Sequence, residues 1–260
     1  METDILHTWL LAWALTAPRI LVAFAVLPIL TDPIVPRTLR NGIVMIMTLF
    51  VLPLTHGQFL NLELDALSLI GILIKEGLLG LLLGYTLSVP FWAVKAAGFL
   101  IDMQRGVMSA LFFSPVTANM VSPLGGLFSL FLTTLLLVSG GFMILLQTLY
   151  FSYQTWPIDQ FYPQITLAVT TFFLHQLDLL LYTALLIAGP FLGVMFLIDF
   201  GLGMVGHFLP QLNVFLAAMP IKSGLIFFML ALYVGFLAEY LKDGFFRMGD
   251  NLTLLDALLR

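Results

Sequence analysis

Long runs of apolar residues, separated by short polar segments, dominate the pattern of this chain. A helix that crosses a membrane needs about 20 apolar residues, and four runs reach that length: Trp9–Leu30, Leu67–Val94, Leu124–Tyr150 and Ile165–Ile198. Two shorter runs are also candidates: Ile43–Leu54, which reaches spanning length if its helix begins near Arg37, and Ser223–Leu241. The pattern predicts an all-α integral membrane protein with about six hydrophobic helices and a broken Gly/Pro segment over Gly201–Pro220.

Composition excludes the main soluble classes of protein. Of the 260 residues, 61% are hydrophobic and only 9% are charged, whereas an ordinary soluble domain carries about 25% charged residues. So few charges cannot cover the surface of a soluble enzyme. The net charge of −4 provides no basic stripe for nucleic acid, and the absence of cysteine excludes thiolate chemistry and cysteine metal sites. We therefore expect one membrane domain over residues 1–260.

The cations of the connecting segments are unevenly distributed. Some segments carry several: Arg37, Arg40, Lys95, Arg105, Lys242, Arg247 and Arg260. Others contain no Lys or Arg at all: Met1–Thr8, Thr55–Asp65 and Phe151–Pro163. Because cytoplasmic loops of membrane proteins are enriched in Lys and Arg, the pattern predicts an external N-terminus and a cytoplasmic C-terminus. This orientation requires an odd number of crossings after Pro163, one of them supplied irregularly by Gly201–Pro220.

The connection Gly106–Gly126 is long for a loop inside a compact bundle, and most of its side chains are apolar. Pro115 and Pro123 prevent it from continuing as one helix, while its hydrophobic composition argues against disorder. Irregular backbone at membrane depth is tolerated only where it is buried in protein or lines a cavity. We therefore expect this loop to be buried, and loops of such length are usually functional.

Seven charged residues lie within or beside the apolar runs: Arg19, Lys75, Glu76, Asp102, Arg105, Asp199 and Lys222. Each needs a partner or a watery face, because a charge in the membrane is costly. Lys75 and Glu76 are adjacent, hence about 100° apart on a helix, which predicts that they pair with neighbouring helices or subunits rather than with each other. Asp102 and Arg105 are three residues apart and share a helical face.

Three glycines, Gly77, Gly80 and Gly84, follow Glu76 along the same apolar run. Small residues at a spacing of four let two membrane helices approach closely. The glycines therefore predict a tightly packed helix, and they favour a role in assembly for Lys75 and Glu76 over a path for ions or protons.

Two other functions remain open on the residues alone. Lys75, Glu76, Asp199 and Lys222 could serve a secondary transporter for a small solute, because transporters place buried charges on broken helices. His175 and Asp178 share a helical face and could serve an intramembrane hydrolase. A metal site, however, needs three or four ligands, and no nucleophile–base pair or phosphate loop accompanies them. The residues therefore indicate no enzyme, no metal and no cofactor.

Four groups of residues, in this order, carry a family resemblance. They are Arg19-Ile20 with Pro28, Pro36 and Arg40; Glu76-Gly77 with Gly80 and Gly84; Ala97-Gly98-x-x-Ile101-Asp102-x-Gln104-Arg105-Gly106; and Leu209-Pro210-Gln211-Leu212-Asn213-Val214-Phe215 with Pro220-x-Lys222. Together they span essentially the whole chain, which resembles the T component of the type III secretion export gate, the FliR/SctT family. The third group is more similar to the injectisome branch, which serves virulence, than to the flagellar branch.

The resemblance implies a non-enzymatic subunit of a helical, multi-subunit export gate in the bacterial inner membrane. Its implied partners are the R and S gate components, the switch (U) component and the large export-gate (V) component, and its substrates are unfolded secreted proteins. The external N-terminus would then be periplasmic. The intramembrane charges would be contacts between subunits, so some apolar helices would face sister subunits rather than lipid.

The resemblance also assigns the long apolar loop as a plug that helps to close the channel, over about residues 107–122. The residues it implies are Met108, Leu111, Phe112, Phe113, Ser114, Pro115 and Met120. Two positions depart from the family pattern. Ser114 stands where members often have an acidic residue, and His207 lies three residues before Pro210, near a common basic position.

Overall fold

The computed structural model describes residues 2–29, 36–59, 65–107, 122–159, 167–209, 211 and 214–246. Within these ranges the chain forms seven α-helices and no strand. The helices are α1 (Glu2–Val26), α2 (Arg37–Phe59), α3 (Ala66–Arg105), α4 (Pro123–Val138), α5 (Gly141–Thr155), α6 (Leu167–Phe208) and α7 (Val214–Phe246).

Five of the described helices, α1, α2, α3, α6 and α7, are long and apolar enough to cross a membrane. The pair α4 and α5 makes a sixth crossing if it forms one broken span. The prediction of an all-α membrane protein with about six hydrophobic helices is therefore confirmed. The second helix begins at Arg37, as its short apolar run required. Each of the five long helices contains a proline, which neighbouring groups make tolerable inside membrane helices.

Glycines in the left-handed conformation separate the helices at two points. Gly106, with φ of 86°, follows the last residue of α3, and Gly140, with φ of 79°, lies between α4 and α5. Glycine occupies this region without the steric cost that a side chain brings. The start of α4 is also encoded locally, because the Ser122 hydroxyl accepts the N–H of Gly125 and Pro123 occupies the first turn. The run predicted over Leu124–Tyr150 is thus two half-helices.

The segment Gly201–Pro220 is more helical than predicted. Its first residues continue α6 as far as Phe208, and α7 begins at Val214. Glycine weakens a helix by only about 1 kcal/mol per residue, so the apolar context keeps Gly201 and Gly203 helical. The predicted break lies between Phe208 and Val214, and the residues on either side of it are helical.

The helices divide between two compact units. The first unit holds α1, α2 and α5, together with α3 up to Val89 and α6 up to Gln176. The second unit holds the rest of α3 and α6, together with α4 and with α7 up to Gly244. In the first unit the Thr16 hydroxyl of α1 lies 3.2 Å from the Thr55 hydroxyl of α2. The Tyr153 hydroxyl of α5 donates to the Thr16 carbonyl at 2.8 Å. Buried polar contacts therefore join α1 to two neighbours.

In the second unit α6 and α7 form an antiparallel pair. Lys222 Nζ lies 2.5 Å from Asp199 Oδ1, and the rings of Phe191 and Tyr233 meet edge to face with centroids 5.6 Å apart. A step back along α6 thus corresponds to a step forward along α7. The segment between Asp199 and Lys222 begins and ends at the same place, so it cannot supply the irregular crossing that the sequence analysis required.

This pairing changes the predicted orientation. Lys222 also donates to the carbonyl of Gln104 at 3.0 Å, so the start of α7 lies beside the end of α3. If α7 crosses the membrane, Lys242 lies on the opposite side from Arg105, whereas the sequence predicted both cations on the cytoplasmic side. The described residues after Pro163 contain two spanning helices, an even number, because the Gly-rich stretch is helical.

Candidate functional site

A buried ion pair joins α1 to α3 in the first unit. Neither Arg19 nor Glu76 is exposed to solvent, and Arg19 Nε and Nη2 donate to Glu76 Oε2 and Oε1 at 2.7 and 3.0 Å. The guanidinium also donates to the carbonyls of Ser152 (2.8 Å) and Trp156 (2.9 Å). Its carbon lies 4.0 Å from the ring centroid of Tyr153, within cation–π range. One arginine thus ties α1 to α3 and to the end of α5.

Lys75 joins this ion pair, contrary to prediction. Its Nζ lies 3.0 Å from Glu76 Oε1 and donates to the carbonyls of Pro157 (3.1 Å) and Ile158 (2.8 Å). The prediction considered only the 100° between the two directions in which the side chains leave the helix. The four-carbon stem of lysine is flexible enough to bring the ammonium back to the neighbouring carboxylate. Arg19, Lys75 and Glu76 are called the buried ion cluster below.

Both carboxylate oxygens of Glu76 therefore face cations. Ser152, Trp156, Pro157 and Ile158, which supply the remaining acceptors, form the last turn of α5 and the residues after it. Buried charges are tolerated when they are paired and their other hydrogen-bonding groups are satisfied. The cluster is a structural joint between three helices rather than an open ion site.

Two glycines allow α1 to approach α3 beside this cluster. A Cβ placed on Gly80 would overlap the Arg19 carbonyl oxygen, and one placed on Gly84 would lie 2.9 Å from Ala23 Cα. A Cβ on Gly77 would meet no atom of the described residues within 4 Å. The small-residue face predicted for close packing thus includes Gly80 and Gly84, and Gly77 lies off it because α1 passes one turn further along α3.

A second cluster lies at the end of α3, in the second unit. Asp102 is fully buried, and three donors converge on its carboxylate. Oδ1 accepts from Arg105 Nη2 at 2.6 Å, while Oδ2 accepts from the Ser122 hydroxyl at 2.5 Å and from the Leu124 N–H at 2.8 Å. The predicted shared face of Asp102 and Arg105 is confirmed. Ser122 and Leu124 begin α4, so one carboxylate joins the two ends of the long apolar connection.

The same end of α3 is joined to α6 and α7. Gln104 Nε2 donates to Asp199 Oδ2 at 3.2 Å, and Lys222 bridges Asp199 Oδ1 and the Gln104 carbonyl. The residues of this second cluster, called the loop-base junction below, are Asp102, Gln104, Arg105, Ser122, Asp199 and Lys222. Two of the groups that carry the family resemblance, Ile101 to Gly106 and Pro220-x-Lys222, therefore meet in space.

Each of the seven predicted charges has a partner inside the chain. Contacts with other subunits are therefore not needed to neutralise them, although the resemblance implied such contacts. The predicted plug residues lie outside the described residues, which stop at 107 and resume at 122. His175 and Asp178 are exposed on α6, and among the described residues no group of three or more His, Asp or Glu side chains could hold a metal ion.

Sequence reasoning missed several residues that complete the two clusters. Ser122 carried a usable signal, because a serine before proline and an apolar run is a helix N-cap pattern. Ser152, Trp156, Pro157 and Ile158 act mainly through backbone carbonyls. Any residue type supplies a carbonyl, so no pattern of side chains could have identified these acceptors.

These features define a class of protein. It is a multi-pass membrane protein in which the buried ion cluster and the partly exposed loop-base junction hold the helices together, and the junction holds the base of a long apolar connection. Residues 10–248 match the family described as "Bacterial export proteins, family 1". The chain belongs to this family, which confirms the resemblance to the FliR/SctT proteins.

Individual relatives agree with the family match. The chain is 36% identical to "Yop proteins translocation protein T" of Yersinia pestis over 260 residues, which are 100% of this chain and 99% of the relative. It is 34% identical to "Secretion system apparatus protein SsaT" of Salmonella typhimurium over 88% of each chain. It is 29% identical to "Flagellar biosynthetic protein FliR" of Bacillus subtilis over 95% of each chain.

Proposed function

We propose that the chain is a subunit of the inner-membrane export gate of a type III protein secretion system, where it helps to form and close the channel for unfolded secretion substrates. The full-length similarity to a translocation protein of Yersinia carries this proposal. The family match and the apolar helices support a multi-pass protein of the bacterial inner membrane. The higher identity to the two proteins named for translocation and secretion than to the flagellar protein favours the injectisome branch.

Its partners in this proposal are the R and S gate components, the switch (U) component and the large export-gate (V) component. The chain acts as one domain over residues 1–260, without catalysis, cofactor or nucleic acid. The exposed apolar side chains along α6 and α7 support contact with lipid or with such membrane partners, since soluble monomers rarely expose large apolar patches.

The buried ion cluster weakens the alternative of a small-solute transporter. That alternative depended on Lys75, Glu76, Asp199 and Lys222 as charges available to an ion or a substrate. In the structure Glu76 is held by two cations, and Lys222 and Asp199 hold each other. A substrate at these positions would have to displace existing ion pairs.

Within the proposed gate, residues 107–122 act as the plug of the channel. Two observations support this role. The loop composition requires burial at membrane depth, and the residues on either side of it are joined through Asp102. Methionine and phenylalanine suit a plug, because flexible methionine side chains fill irregular gaps. Met108, Phe112, Phe113 and Met120 are the residues we expect to form it, with Leu111, Ser114 and Pro115.

Deletion of Met108–Met120 tests the plug. We expect the deleted chain to enter the assembled gate, because the described contacts of both clusters lie outside this segment, and we expect the membrane to become permeable to small ions. Native mass and co-purifying proteins in mild detergent measure assembly, and ion conductance of the cells measures closure. The Gly77→Ala variant is the control for expression and handling. Normal conductance with a fully assembled deletion variant would contradict the plug.

The orientation of the proposed subunit is defined by the side of the membrane on which each end of the chain lies. We propose that the N-terminus and the end of α7 are periplasmic, with Arg37, Arg40, Lys95, Arg105 and Lys222 on the cytoplasmic side. Arg37 and Arg40 lie in the first turn of α2 and Arg105 is the last residue of α3, and the positive-inside rule counts cations near the ends of spanning helices. Lys242 then lies across the membrane from Lys222, because α7 runs away from the loop-base junction.

Single cysteines introduced into this cysteine-free chain test the orientation. Gln211 lies three residues before α7 and Lys242 lies near its end, and both are exposed. In spheroplasts we expect a membrane-impermeant maleimide to label the Lys242→Cys variant and to leave the Gln211→Cys variant unlabelled. Both should react after detergent extraction, which controls for reactivity. Protection of Lys242→Cys in spheroplasts, with labelling in detergent, would place the end of α7 in the cytoplasm.

A further inference from the structure

The carboxylate of Asp102 joins residues that are distant in the chain. Asp102 belongs to the last turn of α3, while Ser122 and Leu124 lie 20 and 22 residues further on. We propose that Asp102 is the positioning residue of the channel plug: its carboxylate holds the two ends of the connection together and so fixes where that connection starts and finishes. This inference rests on the proposed function, which supplies the plug.

The geometry assigns separate tasks to the two carboxylate oxygens. Oδ1 is engaged by Arg105, which orients the carboxylate from its own helix. Oδ2 accepts from the Ser122 hydroxyl and from the Leu124 N–H, at the start of α4. The Ser122 hydroxyl in turn accepts the N–H of Gly125 at 2.8 Å. Asp102 thus acts on the first turn of α4 directly and through Ser122.

The electrostatics strengthen this contact. Leu124 and Gly125 are among the first amides of α4, and the N-terminal end of a helix carries partial positive charge that favours a nearby carboxylate. Asp102 is fully buried, so solvent does not screen the interaction. Hydrogen bonds to charged groups are about twice as strong as neutral ones. The tie between the two ends is therefore a strong one.

Backbone packing places α4 where the carboxylate can reach it. A Cβ built on Gly98 would lie 2.5 Å from the Gly125 nitrogen, so α3 and α4 touch one turn before Asp102. This contact keeps the two helices adjacent when the carboxylate is removed. Loss of Asp102 should therefore free the ends of the connection without separating the helices.

Two conservative variants test the positioning role. Ser122→Ala removes one donor and leaves the Arg105 pair intact, and Asp102→Asn removes the charge. Loss of a hydrogen bond to a charged group shifts a local equilibrium by about tenfold or more. We expect ion conductance of the assembled gate to rise by about that factor in both variants. Asp178→Asn, the matched change at an exposed residue of α6 outside both clusters, should leave conductance unchanged.

A disulfide can replace the tie and separate positioning from general damage. In the Asp102→Cys/Ser122→Cys double variant, diamide removes two hydrogens from the paired thiols to form the S–S bond, and dithiothreitol restores the thiols. The variant has lost the Arg105 partner in both redox states, so only the tie between the ends differs. We expect low conductance after oxidation and high conductance after reduction, with a native assembly in both states.

The outcomes distinguish this inference from the proposed function. Equal conductance in both redox states of the double variant, with the disulfide formed, overturns the role of Asp102. The role of Asp102 is also overturned if the Met108–Met120 deletion leaks while the assembled Ser122→Ala and Asp102→Asn variants conduct normally. In that case the proposed plug stands, but Asp102 does not position it. If the deletion itself does not leak, the proposed plug fails first.

Discussion

Replacement of Glu76 by glutamine is expected to destabilise the fold and to lower strongly the amount of folded chain found in the membrane. The glutamine cannot balance Arg19 and Lys75, which lie at 0% and 6% exposure. Removal of one partner from a buried ion pair destabilises a protein by about 3–5 kcal/mol. The loss is large compared with the about 5–15 kcal/mol that stabilises a typical folded protein. The amount of chain in washed membranes and its melting temperature in detergent measure the effect.

The double variant Arg19→Met/Glu76→Met provides the internal control. It removes both partners of the ion pair and leaves Lys75 bonded to the carbonyls of Pro157 and Ile158. We expect it to be more stable than Glu76→Gln, because it leaves one buried cation, Lys75, without a carboxylate, whereas Glu76→Gln leaves two. Asp199→Asn, at a pair whose carboxylate side is 38% exposed, should lose much less. Equal melting temperatures for Glu76→Gln and the unaltered chain would show that Glu76 is not an important partner.

Gly80→Ala is the second change with a large expected effect. The new Cβ would overlap the carbonyl oxygen of Arg19, and a backbone atom in a packed helix cannot move aside as a side chain can. Overpacking of this kind costs about 1–3 kcal/mol and sometimes more. Here α1 would have to move away, which also stretches the bond between Arg19 and Glu76. We expect a loss of about 3 kcal/mol, measured as a lower melting temperature in detergent.

Gly77→Ala is the matched control on the same helix. Its Cβ would meet no atom of the described residues within 4 Å, and alanine stabilises a helix by up to about 1 kcal/mol relative to glycine. We expect it to melt at or slightly above the temperature of the unaltered chain. A similar loss at Gly77 and Gly80 would mean that helix propensity, rather than the close approach of α1, decides the result.

The sequence predicted the helices well because membrane spans are encoded by composition over about 20 residues. It failed at Ser139-Gly140, where one apolar run becomes two helices. An apolar run shows whether a segment can enter a membrane, but it does not reveal where one residue adopts the left-handed conformation and interrupts the helix, as Gly140 does. It located the second break only to within Gly201–Pro220, because a glycine in an apolar stretch fits both a helix and a break.

The clusters were predictable only in part. Asp102 and Arg105 were paired correctly, since a spacing of three on one helix fixes the geometry. Lys75 and Glu76 were not, because the path of a long side chain depends on what surrounds it. Arg19 and Glu76 are 57 residues apart, and one sequence holds no information on which distant charges meet. The contact between Asp199 and Lys222, on which the proposed orientation of α7 depends, is tertiary as well.

The break at Gly140 has a consequence for biosynthesis. α4 has 16 residues and α5 has 15, so each is about 24 Å long or less at about 1.5 Å per residue, and neither reaches across a hydrocarbon core of about 30 Å. An insertion machinery that releases one spanning helix at a time therefore has no complete helix to release here. We expect these two halves to enter the bilayer together, after α1 and α3. Arg19 of α1 is then in place to donate to the carbonyls at the end of α5.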